Sequence, residues 1–317
     1  MMEDNRLLIL TGPTAVGKTK LSLMLADKLS GEIISADSMQ VYRGMNIGTD
    51  KISPGDMHGI RHHLIDILDP DEEFNVYRFK DAACRAIEEI RSRGKLPMIV
   101  GGTGFYIQSV LYDIDFSEEN DGGAYRASLE EQVRTRGEAA VKRLHEELAK
   151  TDPEAAAQIH ENNVKRVIRA LEYHHMTGGL ISEHNREQRE KESAYNSLYF
   201  VLTDDRARLY ERIDRRVDMM MAEGLESEVR SLLDEGMTGD EMSMLGLGYR
   251  QMVMHIRDGI PLERAVELIK RDTRHFAKRQ LTWFRREKDV IFIDRREFPS
   301  DEDALDEIMR IAGEKWK

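Results

Sequence analysis

The chain has 317 residues, with 47 Lys and Arg against 59 Asp and Glu, a net charge of −12, and 33% charged beside 40% hydrophobic residues. These values exclude a protein that coats nucleic acid indiscriminately, which needs a broad positive surface, and no apolar run approaches the ~18 residues of a membrane span. Cys84 is the only cysteine, so an internal disulfide and a cysteine-based zinc site are excluded, and a reducing, cytoplasmic setting is expected.

Residues 7–10, Leu-Leu-Ile-Leu, are too short for a signal peptide and read as a first strand. The sequence Gly12-Pro13-Thr14-Ala15-Val16-Gly17-Lys18-Thr19 follows as a turn, and Leu21, Met24, Leu25 and Leu29 recur at helical spacing after it. This is the phosphate-loop pattern in its required strand-to-helix context: glycines turn backbone N–H groups toward a polyphosphate, Lys18 adds a positive charge, and the Thr19 hydroxyl is a magnesium ligand. The pattern identifies a pyrophosphate group without naming the molecule that bears it.

Residues 33–36 form a second strand ending at Asp37, residues 64–68 a candidate strand, 81–93 a helix, and 97–100 a strand running into Gly101-Gly102-Thr103-Gly104. From 113 to 197 strand character gives way to charged amphipathic helices, for example around 139–148 and 163–174. Strand character returns at 198–202, a long helix begins near Asp204 and Asp205 as N-cap residues, and 290–293 closes the series as a strand rejoining the sheet. The fold class is α/β: a phosphate-loop NTPase-like parallel sheet flanked by helices, built from residues 1–112 and 198–317 and interrupted by a helical insertion domain at 113–197.

In a parallel sheet the ligand crevice lies beyond the strands' carboxyl ends, which places Asp37, Thr103 and the phosphate loop at one edge. NTP hydrolysis is the weaker reading, because the 97–100 strand ends in Gly-Gly-Thr-Gly instead of an acidic residue and no Asn-Lys-x-Asp element is present. Asp66 is a possible substitute, though an aspartate in an apolar run more often makes structural hydrogen bonds. Arg208, Arg212 and Arg216 recur every four residues and share a helical face, with a solvated face balanced by Glu211, Asp214 and Asp218 as the alternative. Met219, Met220 and Met221 read as core filling. Residues 270–288 concentrate Lys270, Arg271, Arg274, Lys278, Arg279, Arg285, Arg286 and Lys288 against Asp272 and Glu287. On a helix, Arg271, Arg274, Lys278 and Arg285 share one side, and Phe276 and Trp283 another. Such charge with aromatics suits structured RNA, although a solvated helix with a buried aromatic stripe has the same pattern.

The phosphate loop, residues 37–49 (DSMQVYRGMNIGT), HHLID at 62–66, GGTGFY at 101–106, RVIRALE at 166–172 and AKRQLTWFR at 277–285 occur in the order and form of bacterial tRNA dimethylallyltransferases, which this chain closely resembles over nearly its whole length. Eukaryotic relatives add a C-terminal zinc finger, and with one cysteine the chain looks like the bacterial form. The resemblance implies transfer of a dimethylallyl group from dimethylallyl pyrophosphate to the exocyclic amine of the adenosine next to the anticodon, with the tRNA anticodon stem-loop as partner, Mg2+ as cofactor, no membrane role and a monomeric state. Asp37 is the implied base, Thr103 holds the amine or the bridging oxygen, Lys18 and Thr19 face the pyrophosphate, and the family pattern favours Arg216 as functional, toward the pyrophosphate or the tRNA backbone. The implied tRNA-facing residues are Asp37, Ser38, Met39, Gln40, Thr103 and Arg126; Glu161, Asn162, Asn163, Val164, Lys165 and Arg166; Met242, Ser243, Met244, Leu245, Gly246 and Leu247; and Arg274, Lys278, Arg279, Gln280, Trp283 and Arg285. An adenylate prenyltransferase, a small-molecule phosphotransferase and a non-catalytic RNA-binding module stand as alternatives. The helical insertion and the basic segment weigh against the first, and an idle phosphate loop against the last.

Overall fold

The computed structural model describes residues 5–116 and 122–317. Contacts divide the chain into two compact units, residues 112–193 and the remainder. In the larger unit β1 (Arg6–Thr11) leads into α1 (Lys18–Leu29), followed by β2 (Gly31–Ala36), β3 (His62–His63), α2 (Val76–Ser92), β4 (Leu96–Gly101) and α3 (Gly104–Leu111). The smaller unit contains α4 (Gly122–Arg136), α5 (Glu138–Thr151), α6 (Pro153–Gln158), α7 (Val164–Thr177) and α8 (Ile181–Glu190), and a core of Leu129, Leu144, Leu148, Val167 and Leu171 holds these helices together. The chain then returns through β5 (Asn196–Thr203), α9 (Arg206–Glu223), α10 (Leu225–Asp234), α11 (Tyr249–Asp258), α12 (Leu262–Phe284), β6 (Val290–Asp294) and α13 (Asp301–Lys315).

The six strands form one parallel sheet in the order β3-β2-β4-β1-β5-β6. The central strands are continuously apolar because helices cover both faces, leaving no solvated side to impose alternation. Leu8, Leu10, Phe200 and Leu202 pack with Leu21 and Leu25 of α1 and Leu305 and Ile308 of α13. A second core gathers Val217, Val229, Tyr249, Met252 and Ile269 from α9 to α12 around Val41, Tyr42 and Met45. Side chains set the helix starts: Asn75 accepts from the Arg78 amide to open α2, Asp205 accepts from Ala207 and Arg208 to open α9, and Ser300 and Asp303 form a capping box on α13.

Two sequence expectations change. Residues 64–68 form no strand, since Leu64 and Asp66 take positive φ values of 62° and 54°, and the paired element is His62 and His63 on Ile33 and Ile34. Asp66 instead forms an ion pair with Lys51 Nζ at 2.6 Å. The sheet also claims Asn196 and Ser197, placed with the insertion on sequence grounds, because they pair with Arg6 and Leu7.

Candidate functional site

At the carboxyl edge of the sheet, the 12–19 loop turns from β1 into α1. Ala15 and Gly17 lie at φ 63° and 98°, conformations that rotate successive amides to one side of the chain, and a glycine takes the second of these without strain. Lys18 folds back over the loop and donates to the carbonyls of Gly12 (3.1 Å) and Pro13 (2.9 Å). Burial, and then repulsion from Arg216, lower its ammonium pKa to about 8, while Asp37 and Asp50 pull in the opposite direction.

Asp37 and Thr103 each follow a strand end, and those ends are register partners, Ala36 opposite Gly101. Thr103 is fixed by its amide, which donates to the Ala36 carbonyl at 3.2 Å. The Asp37 carboxylate accepts the Met39 amide through Oδ1 at 2.8 Å. Arg216, from the middle of α9, donates to the Thr14 hydroxyl at 2.9 Å and pairs with Asp50 Oδ2 at 3.2 Å. It is the one arginine of the 208–212–216 series that lines the cavity, as Arg208 and Arg212 turn to the buried carboxylate of Asp204 at 3.5 and 3.0 Å.

These groups border a cavity of about 650 Å³. Thr14, Asp37, Thr103 and Arg216 form its polar side; Ile213, Val217, Met220, Ile269 and Phe276 supply apolar wall; His275, Arg279 and Arg250 bring further cationic or titratable groups. Helix α12 is tied in through Gln280, which accepts from the Thr14 amide at 2.9 Å and donates to the Gly102 carbonyl at 3.0 Å. Gly102 is required here, because a Cβ would run into the Gln280 amide nitrogen, and Gly104 likewise lies against the Trp283 indole.

Of the other residues singled out in the sequence, Ser38, Met39, Leu245, Gly246, Leu247, Arg279 and Gln280 line the cavity. Gln40 lies beneath it, accepting from the Ser35 hydroxyl and donating to the Thr49 and Asp50 carbonyls. Met242 is exposed, whereas Met244 is buried and Ser243 donates to the Pro70 carbonyl. Arg274 pairs with Asp214, while Lys278 and Arg285 are exposed. In the smaller unit Glu161, Asn162, Asn163, Lys165 and Arg166 are exposed and Val164 is half-buried. Arg126 is engaged in a two-pronged contact with the buried Glu172, at 2.9 and 2.6 Å, which Arg169 joins. The methionines divide: Met220 is buried and borders the cavity, while Met219 is exposed. Sequence reasoning missed Gly48, Thr49, Tyr249, Arg250 and His275. His275 follows from the face of α12 once Arg271 and Arg279 are placed on it, being four residues from each.

Fold and cavity define an α/β protein with a parallel six-stranded sheet, flanking helices and a crevice at the sheet's carboxyl edge. The profile of the IPP transferase family matches residues 40–287. The tRNA dimethylallyltransferase of Lachnoclostridium phytofermentans is 57% identical over 98% of both chains. The crystal structure of the full-length tRNA isopentenylpyrophosphate transferase from Bacillus halodurans is 45% identical, covering 98% of this chain and 97% of that one, with a TM-score of 0.74. A eukaryotic dimethylallyltransferase acting on tRNA is 28% identical, covering 98% of this chain and 79% of that one, with a TM-score of 0.81. The chain belongs to the IPP transferase family.

Proposed function

We propose that this protein transfers a dimethylallyl group from dimethylallyl pyrophosphate to the exocyclic amine of the adenosine next to the anticodon of tRNA, releasing pyrophosphate. The observation that carries this reading is the meeting of a carboxylate, a hydroxyl and a cationic anion cradle with an apolar wall around one cavity. An apolar wall beside an anion cradle suits a five-carbon chain carried on a pyrophosphate.

In the reaction the adenine nitrogen attacks the allylic carbon, the bond from that carbon to the bridging oxygen breaks, and the nitrogen gives up a proton. Lone-pair delocalisation makes the amine a weak nucleophile, so a base adds substantially to the rate. The Met39 amide orients the Asp37 carboxylate through Oδ1 and leaves Oδ2 to take the proton. Thr103, fixed through its backbone, holds the amine or the bridging oxygen. Lys18 and Arg216 receive the charge that develops on the leaving group; both already lie against the loop, so little reorganisation accompanies the transition state. Ile213, Val217, Met220, Ile269 and Phe276 hold the prenyl chain and exclude water from the allylic carbon.

Thr19, exposed on the first turn of α1, would hold magnesium through its hydroxyl. Among the described residues no group of three or more His, Cys, Asp or Glu side chains could hold a metal ion. When bound it neutralises charge on the departing pyrophosphate. The target adenosine leaves its stack to enter the cavity, and exposed Lys278 and Arg285 on the α12 segment meet backbone phosphates. A monomeric state belongs to this reading. Among the described residues no helix is long and apolar enough to cross a membrane, and a cytoplasmic place belongs to this reading.

The test is label transfer to bulk tRNA from dimethylallyl pyrophosphate and, separately, from γ-labelled ATP. Prenyl label on tRNA is expected. Phosphate label with no prenyl label would replace this reading with phosphotransfer.

A further inference from the structure

Glu228 of α10 lies outside the cavity and carries none of the roles assigned above, yet its carboxylate joins two of the cavity's walls. Oε2 accepts the amides of Asn46 (2.9 Å) and Ile47 (2.8 Å), and Oε1 accepts the Gly48 amide (3.2 Å) and the Tyr249 hydroxyl (2.6 Å). Three successive backbone amides directed at one carboxylate form an anion nest, and a charged acceptor makes such hydrogen bonds stronger than a neutral one does. Tyr249 in turn packs its ring on Gly48, where any Cβ would collide with it.

The 46–50 segment held in this way leads to the phosphate loop. The Asp50 amide donates to the Ile47 carbonyl at 3.1 Å, and Gln40 holds the Thr49 carbonyl from the opposite side at 3.2 Å. Asp50 takes φ 51°, a left-handed conformation that a non-glycine residue keeps only when its neighbours fix it. In that conformation Asp50 reaches Arg216 at 3.2 Å, and Arg216 reaches the Thr14 hydroxyl at 2.9 Å.

We infer that Glu228 is a positioning residue for pyrophosphate: through the nest at residues 46–48 and through Asp50, it sets the Arg216 guanidinium against the 12–19 loop. The inference rests on the pyrophosphate role of Arg216 in the proposed function and adds a control point on α10, remote from the reacting atoms.

The experiment is a double-mutant cycle on the affinity for inorganic pyrophosphate, measured by calorimetry on the full chain, so that no prenyl transfer is needed. Glu228→Ala is expected to weaken binding roughly fivefold in the wild-type background and less than about 1.5-fold in Arg216→Ala, the non-additivity expected of residues acting through one contact chain. Glu228→Gln keeps one accepting oxygen and is expected to fall between, at about twofold; it replaces the alanine variant in the cycle if the latter does not fold. A purely structural role for Glu228 would lower affinity equally in both backgrounds, and that outcome, or no loss at all, overturns the inference. Arg216→Ala binding as tightly as wild type would instead show that Arg216 does not hold pyrophosphate, and the inference would fall with that assignment while prenyl transfer to tRNA remained separately measurable.

Discussion

Gln280 accepts a hydrogen bond from the Thr14 amide at 2.9 Å, although 266 residues separate the two in sequence. The Gln280 side-chain Nε2 in turn donates to the Gly102 carbonyl, so a single side chain of α12 latches the loops that follow β1 and β4. Gln280→Leu leaves a backbone donor and acceptor without partners in a largely buried place, at a cost of about 1–3 kcal/mol for each group. We expect a lower urea midpoint with an unchanged m-value, together with reduced prenyl transfer. Gln280→Glu retains the acceptor for Thr14 and loses the donor for Gly102, so its midpoint should lie between the two. A leucine variant as stable as wild type would remove the latch from the account.

Lys18 gives a prediction in pH. Its folded-state pKa is lowered from 10.5 to about 8, chiefly by burial and next by Arg216. Between those values the unfolded chain carries more protons than the folded one, so this residue makes stability rise with pH across that window. Below it, the buried charge is a cost that a bound anion relieves. Pyrophosphate affinity should therefore decline as pH rises through about 8, and Lys18→Arg, charged throughout, should flatten the profile. Lys18→Ala should lower turnover by roughly a hundredfold or more, the scale for losing a preorganised donor. Calorimetric titrations across this pH range, paired with transfer rates, check both statements.

Asp37→Asn keeps the Met39 amide contact through its side-chain oxygen and removes the charge that accepts the proton. Single-turnover transfer with both substrates saturating should slow by about 10²–10⁴-fold, with binding of each substrate retained. Rapid-quench rates within a few fold of wild type would reduce Asp37 to the Asx turn it makes with Met39.

The α12 segment holds cations of two kinds. Arg274 is committed to Asp214, whereas Lys278 and Arg285 are exposed. Replacing Lys278 and Arg285 together by alanine should lower the steepness of the salt dependence of tRNA binding by about two units on a logarithmic plot, near one per phosphate contact. Arg274→Ala should instead act on thermal stability, by releasing Asp214. Filter-binding isotherms over a salt series distinguish the two kinds, and an unchanged slope in the double variant would return this face to solvent.

The sequence exposed the parts of this architecture that depend on local pattern. Buried parallel strands are continuous apolar runs, so residues 7–10, 97–100 and 198–202 locate β1, β4 and β5 within a residue or two. The 64–68 run misled because its apolar residues are held by left-handed turns at Leu64 and Asp66, and the Lys51 ion pair stabilising Asp66 comes from a distant segment. The edge positions of Asp37 and Thr103 followed from strand ends alone. Asp50 and Tyr249 were not apparent, since Asp50 meets Arg216 and Tyr249 meets the cavity through long-range packing that leaves no periodic mark. The ion pair of Arg126 with Glu172, 46 positions away, likewise has no local mark in the sequence.

The interruption of the sheet also bears on synthesis. β1 pairs with β4 on one side and β5 on the other, and residues 112–193 separate those partners in the chain. At a ribosomal pace of roughly 5–20 residues per second, that stretch occupies on the order of 4–16 s, during which one margin of β1 has no neighbour. An unpaired apolar strand margin is a template for association with other chains. The polypeptide thus emerges with its anion loop first and with Arg216 and Gln280, which close over that loop, only after the margin is filled. A nascent chain stalled within the insertion would carry the loop without its latch and an open strand beside it.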